Sequence, residues 1–249
     1  MSDSFDVLWL SASPVLQRFD KPLLEYLSSY INIAQWEYQQ TKDEASSIDQ
    51  AVDLLYEFLE CRGPVHLAGH AMGGAIALTF ARRFPQKVRS LTLLAVAAQP
   101  ANNWQAHYYF QRQLFSISRE LILASTVRSL FGNQPPHTTK KLVAALDKDL
   151  EQSPTSHSLF KLVYLPKGGV SMPMMVCGSK SDPVVNSTVL HDWLNWFKPE
   201  DKLWEYPEGY HFFHYFYPQQ VGEQILSFWQ SHHPHLLEAS ALSFSTSIN

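Results

Sequence analysis

Apolar residues fall along this chain in two alternating rhythms. Short apolar runs, FDVLWLS (5–11), INIAQWEY (31–38), VHLAG (65–69), SLTLLAVAA (90–98), MPMMVCG (172–178) and KLWEYP (202–207), have the length and character of buried strands. Between them the chain changes to the three-and-four spacing of amphipathic helices. This predicts helices over KPLLEYLSSY (21–30), SIDQAVDLLYEFLECR (47–62), GGAIALTFARRFP (73–85), STVLHDWLNWF (187–197) and PQQVGEQILSFWQSH (218–232). Ser47 and Gln50 stand three apart, a capping-box pattern that opens the second helix, and Gly63-Pro64 ends it. Strands joined by helices at this pace predict an α/β fold with a mostly parallel sheet.

The rhythm breaks once. From 99 to 171 the segments AHYYFQRQLFSISRELILASTVRSLFG and TTKKLVAALDKDLE read as helices separated by Pro and Gly, with no strand among them. The division expected is therefore a core of 1–98 and 172–235, a helical cap inserted over 99–171, and a tail of 236–249 that loses periodicity and is expected to be mobile. No internal repeat is visible.

Composition narrows the class of partner. With 19 Lys and Arg against 23 Asp and Glu the net charge is -4, and neither sign forms a block, which argues against nucleic acid or an anionic membrane surface. No run reaches the ~18 apolar residues of a membrane span. Cys61 and Cys177 are far apart in apolar surroundings, so neither a disulfide framework nor a Cys-rich metal site is expected, and a reducing, cytoplasmic setting is. A small molecule or a protein is the partner this points to.

The chemistry concentrates in VHLAGHAMGGAIALTFARRFP (65–85), a strand, a Gly-rich turn and a helix. Here the pattern resembles the α/β-hydrolase fold superfamily, in which a strand feeds a sharp Gly-x-nucleophile-x-Gly turn and a helix follows at once. The five positions are Gly69, His70, Ala71, Met72 and Gly73, with Gly74 behind them, so the apex carries Ala71 where the family places its nucleophile. The resemblance covers nearly the whole chain. It implies an esterase- or lipase-like, capped architecture, with Asp182 after the fifth strand as the acid and His211, seven residues before Pro218, as the base. Between Ala97 and Arg119 there is no carboxylate, so the family's alternative acid position is empty. The backbone N–H of Met72 would form one half of an oxyanion hole. The other half departs from the family: LSASP, with Ser11, Ala12 and Ser13, stands where His-Gly is usual, so a second N–H would have to come from Ala12 or Ser13. The chain also begins directly at its first strand, so the family's leading hairpin is expected to be missing.

Each of these residues also has a plainer reading. Asp182 precedes a proline and could simply open a turn; His211 could be one polar residue in an aromatic loop. His214, three residues on, has metal-like spacing, but with no carboxylate or further histidine beside the pair no metal is expected, and no cofactor is called for. His232, His233 and His235 read as a solvated helix end, and His70 as a residue packed or hydrogen-bonded beneath the sheet edge. The aromatics Trp104, Tyr108, Tyr109, Phe110 and Phe115 either line an apolar pocket over the turn or hold the inserted helices to the core. Three functional readings follow from Ala71. The chain is a pseudo-hydrolase that binds a small apolar ligand or a protein partner. Alternatively it is a serine hydrolase acting on an acyl ester, captured with its nucleophile exchanged for alanine. The third reading is a His211/Asp182 dyad, of the kind used in lyase or cofactor-free oxygenase chemistry, that abstracts a substrate proton or activates water without a covalent step.

Overall fold

A computed structural model describes residues 5–39, 47–99, 103–153 and 166–233. Six strands, β1 (Val7–Ser11), β2 (Ile33–Glu37), β3 (Val65–His70), β4 (Val88–Leu94), β5 (Met174–Ser179) and β6 (Lys202–Tyr206), form one sheet in the order β2-β1-β3-β4-β5-β6. Every pairing is parallel, as the alternation of elements requires. The helices are α1 (Lys21–Ser28), α2 (Ile48–Leu59), α3 (Ala71–Arg83), α4 (Trp104–Leu114), α5 (Arg119–Phe131), α6 (Pro136–Gln152), α7 (Ser187–His191), α8 (Phe213–Phe216) and α9 (Pro218–His232). Among the described residues no strand precedes β1, and no helix is long and apolar enough to cross a membrane. The expected tail of 236–249 and His235 lie outside the described residues.

Successive strand residues face opposite sides of the sheet, so the core has two halves. Leu8, Leu10 and Leu67 pack under α2 and α3, whereas Val7, Trp9 and Ala68 pack under α1 and α9. The chain leaves β1 toward one edge and returns across it to β3, which makes the gap between β1 and β3 the topological switch point of the sheet. Open α/β sheets bind their ligands at the carboxyl ends of strands at such a point.

Local chemistry explains the element ends. Ser47 caps α2, its Oγ accepting from the Gln50 N–H at 3.2 Å. Replacing Ser47 with Ala is expected to lower stability by about 1 kcal/mol, measurable as a shift of the urea midpoint at constant slope. The predicted end of that helix at Gly63-Pro64 comes too late. The helix stops at Leu59, and the Lys87 ammonium donates to the carbonyls of Leu59, Glu60 and Arg62 at 3.0, 2.7 and 2.9 Å, satisfying groups the helix leaves without partners. The predicted strand 90–98 starts earlier and ends at Leu94, because Ala95 turns to φ 50° and leaves the extended region. Its remainder stays buried, with the Trp193 indole donating to the Val96 carbonyl at 2.9 Å. In the inserted region, Ser118 caps a new helix and divides the long predicted segment into α4 and α5.

Candidate active site

The turn between β3 and α3 is built by exclusion. A Cβ on Gly69 would lie 2.7 Å from the Gly73 carbonyl carbon, and one on Gly74 would lie 2.5 Å from a Val96 methyl. A Cβ on Gly73 would come within 2.1 Å of the Leu10 carbonyl oxygen. Between them Ala71 adopts φ 47°, a left-handed conformation that costs a residue with a Cβ roughly 1–2 kcal/mol. The chain thus keeps the strained apex that would project a reactive group, and projects a methyl from it.

Two loops from the far half of the sheet complete the site. The loop after β5 carries Asp182 and the loop after β6 carries His211, both buried, with Asp182 Oδ2 2.8 Å from His211 Nδ1. The second carboxylate oxygen accepts from the Val184 N–H at 2.8 Å, so Asp182 is a turn residue and a histidine partner together. Burial pushes the Asp182 carboxyl up. The attraction of His211, its hydrogen bond and the Val184 and Val185 amides outweigh that push and hold it below the usual carboxylate range. His211 Nε2 is buried with no hydrogen-bond partner among the described residues. His70 Nε2 lies 3.0 Å from the His211 carbonyl oxygen, fixing the loop from below.

Ala71, Met72, His211, Ser11, Ala12 and Ser13 all line one cavity at the switch point, with a volume of about 40 Å³. The N–H groups of the first turn of α3, Met72 among them, have no acceptor within their own helix. Ser13 spends its hydroxyl elsewhere: Oγ donates to Asp149 in a short hydrogen bond and accepts from the Leu16 N–H at 3.1 Å. Its N–H is 3.5 Å from Ser11 Oγ.

The cavity is not the aromatic pocket expected. Trp104 lines it, but Tyr108 and Tyr109 line a separate surface cleft with Arg112 and Arg119, and Phe115 is 53% exposed. Trp104 and Tyr108 lie one turn apart on the buried face of α4, so Tyr108 packs further along the core than the cavity reaches, while Phe115 falls just past the helix end, where the backbone becomes extended. Polar side chains take the place of the aromatics, with Gln17, Asp20, Asn103, Gln105, Asp149 and Ser153 all facing the cavity. Among these Asp149 carries a sequence signal. It continues the buried stripe Leu142, Ala145, Leu146 of α6 at helical spacing, so a carboxylate sits where an apolar residue belongs. Asp20 has no such signal, since it lies on the connection between a 3-10 turn and α1.

The structure also corrects the surroundings of His214, which has both a carboxylate and a second histidine beside it. Its Nε2 lies 2.9 Å from Asp20 Oδ1, and the Trp9 indole donates to Asp20 Oδ2 at 2.9 Å. Possible ligand atoms of Asp20, His70 and His214 lie within 4.8 Å of one another, an arrangement that could hold a metal ion. As the side chains stand, the group forms a buried polar network on hydrogen bonds of its own. Burial pushes Asp20 up to about 6 and His214 down to about 3, and holds His70 well below the ordinary histidine value.

These shifts predict how stability responds to acid. Buried His66, down to about 3, joins His70 and His214 in refusing protons that the unfolded chain takes up below about 6.5. Their contribution is therefore present at neutral pH and lost as the pH falls. Asp20 and Asp149, both raised to about 6, act in the opposite sense, gaining stability as the pH falls from there toward 3.8. Three histidines outweigh two carboxyls and begin to act sooner. Lowering the pH from 7.5 to 5.5 is expected to cost on the order of 2 kcal/mol, to be read as a lower urea midpoint.

A family model described as alpha/beta hydrolase fold matches residues 47–137. An uncharacterized protein of Nostoc sp. strain PCC 7120 is 70% identical over 97% of this chain and 97% of its own length. A protein described as a putative carbamate hydrolase, RutD, from Azorhizobium caulinodans is 26% identical over 66% of this chain and 65% of its own. Among solved structures, a thermophilic esterase from Thermogutta terrifontis superposes with a TM-score of 0.69 at 16% identity, covering 92% of this chain and 91% of that one.

Proposed function

We propose that this chain, whose fold is that of the α/β hydrolases, is a small-molecule hydrolase whose base, His211, activates water directly in place of a side-chain nucleophile. The observation that carries the reading is the state of the His211 ring. Nδ1 is held by Asp182 at 2.8 Å, while Nε2 is buried and has no partner among the described residues, and His211 lines the same cavity as Ala71. A carboxylate on Nδ1 fixes the tautomer that leaves a lone pair on Nε2.

The reaction follows from that tautomer. Nε2 takes a proton from a water molecule as its oxygen attacks the substrate carbonyl; the carbonyl electron pair moves to oxygen, where the N–H groups of Met72 and Ala12 stabilise it. Collapse of the tetrahedral species breaks the bond to the leaving group, which receives the proton from His211. The products are an acid and an alcohol or amine, with one water consumed and His211 neutral again. No acyl-enzyme forms, because the apex methyl of Ala71 has no oxygen to acylate. A cavity of about 40 Å³ lined by both polar and apolar groups fits a substrate of few atoms. The description of the Azorhizobium relative as a putative carbamate hydrolase agrees with a small polar substrate.

One observation favours a second reading, in which the cavity binds a ligand or partner without turnover: the Ser13 hydroxyl is committed to Asp149 and Leu16, so the oxyanion region departs from its usual design. Turnover separates the two. The purified chain should hydrolyse at least one compound in a panel of short esters, amides and carbamates, with no initial burst and no covalent labelling by a fluorophosphonate. Rates equal to those of the His211→Ala variant across the panel would leave binding without chemistry.

A further inference from the structure

Resting on the hydrolase reading above, we propose that Asp149 selects the substrate by accepting an N–H hydrogen bond, so that the site takes a small carbonyl compound with nitrogen beside its carbonyl, an amide, urea or carbamate, over an ester. Asp149 is 1% exposed and lines the same cavity as Ala71 and His211. Its two oxygens are in unequal positions. Oδ1 accepts from both the Ser13 and Ser153 hydroxyls, the latter at 2.7 Å, whereas Oδ2 is buried and has no partner among the described residues.

A buried carboxylate oxygen without a donor is unfavourable, and the protein supplies none. Ser13 and Ser153 pin the carboxylate from one side and so leave Oδ2 to whatever enters the cavity. What enters must bring the hydrogen. An ester has no hydrogen to donate to Oδ2 and leaves it buried without a partner, whereas an N–H beside the carbonyl satisfies it. The cavity is small enough that the molecule meeting Oδ2 also meets His211 and the N-terminus of α3, which places the N–H and the carbonyl on one short fragment. Asp149 is thus a specificity residue that touches substrate, and it reaches the site from the inserted helices.

Methyl carbamate and methyl acetate test this directly, because they differ by NH2 against CH3 on an otherwise equal frame. Affinities read by NMR chemical-shift titration should favour methyl carbamate by at least about tenfold in both the unmodified chain and His211→Ala, where no turnover interferes. In Asp149→Asn the two serine hydroxyls hold the amide oxygen, the amide NH2 takes the place of Oδ2, and the preference should vanish or reverse. Equal affinity of the two compounds in the unmodified chain, binding of neither, or an unchanged preference in a folded Asp149→Asn would each overturn the proposal. The comparison in the unmodified chain needs no variant to fold. A carbamate preference without turnover would remove the hydrolase reading and leave the selectivity; turnover by His211 with no such preference would do the reverse.

Discussion

His211→Ala is expected to lower turnover of the best panel substrate by 10²- to 10⁴-fold, roughly what a positioned general base contributes. The variant should still bind, because the walls formed by Asp149, Gln105 and the start of α3 do not depend on the imidazole. The loss therefore belongs in kcat more than in KM. Asp182→Asn should fall in the same range for another reason. An asparagine at 2.8 Å from Nδ1 can donate its own N–H, which favours the tautomer with the proton on Nε2 and leaves the base facing the wrong way. If either variant retained the rate of the unmodified chain, with folding checked by its thermal midpoint, the chemistry would have to reside in other residues.

The largest expected effect on stability comes from a position with no chemistry of its own. Gly73→Ala puts a methyl 2.1 Å from the Leu10 carbonyl oxygen and 2.9 Å from its carbon, both backbone atoms of a central strand that has no room to give. Helix α3 must lift off β1, loosening the contacts of Ala75, Ile76 and Leu78 in the core and displacing the Met72 N–H from the cavity. A cost of about 3 kcal/mol or more is expected, a fall of about 6–12 °C in Tm for a chain of this size. Gly63→Ala is the control, since its Cβ would meet nothing within 4 Å. Equal melting of the two variants would mean that the close approach of α3 to β1 does not hold in solution.

Much of the fold is legible along the chain because burial on both faces of a parallel sheet forces continuous apolar runs, and helices between them repeat at three and four. β3, β4 and β5 show this in VHLAGH, VRSLTLL and MMVCGS. Element ends are less legible. The stop of α2 depends on Lys87, 28 residues beyond Leu59, and the end of β4 depends on the turn at Ala95, neither of which leaves a local mark. The inserted aromatics mislead for a related reason: composition counts rings but does not record which way α4 presents them.

By itself the sequence determines the strand and helix order, the glycines of the elbow and the absence of an oxygen at Ala71, since each is a property of one residue or of a local repeat. It also marks Asp182 and His211 as polar residues at strand ends. Only the tertiary structure decides that these two meet at 2.8 Å, that Asp20 and His214 form a second buried pair, and that Asp149 lines the cavity with one carboxylate oxygen left without a partner among the described residues. Those pairings join residues 29 and 194 positions apart, and for Asp149 and Ser13 136 apart. Hydrogen bonding acts over about 3 Å of space regardless of separation along the chain, so a linear pattern carries the residues that can pair while the packing of the sheet and the inserted helices selects those that do.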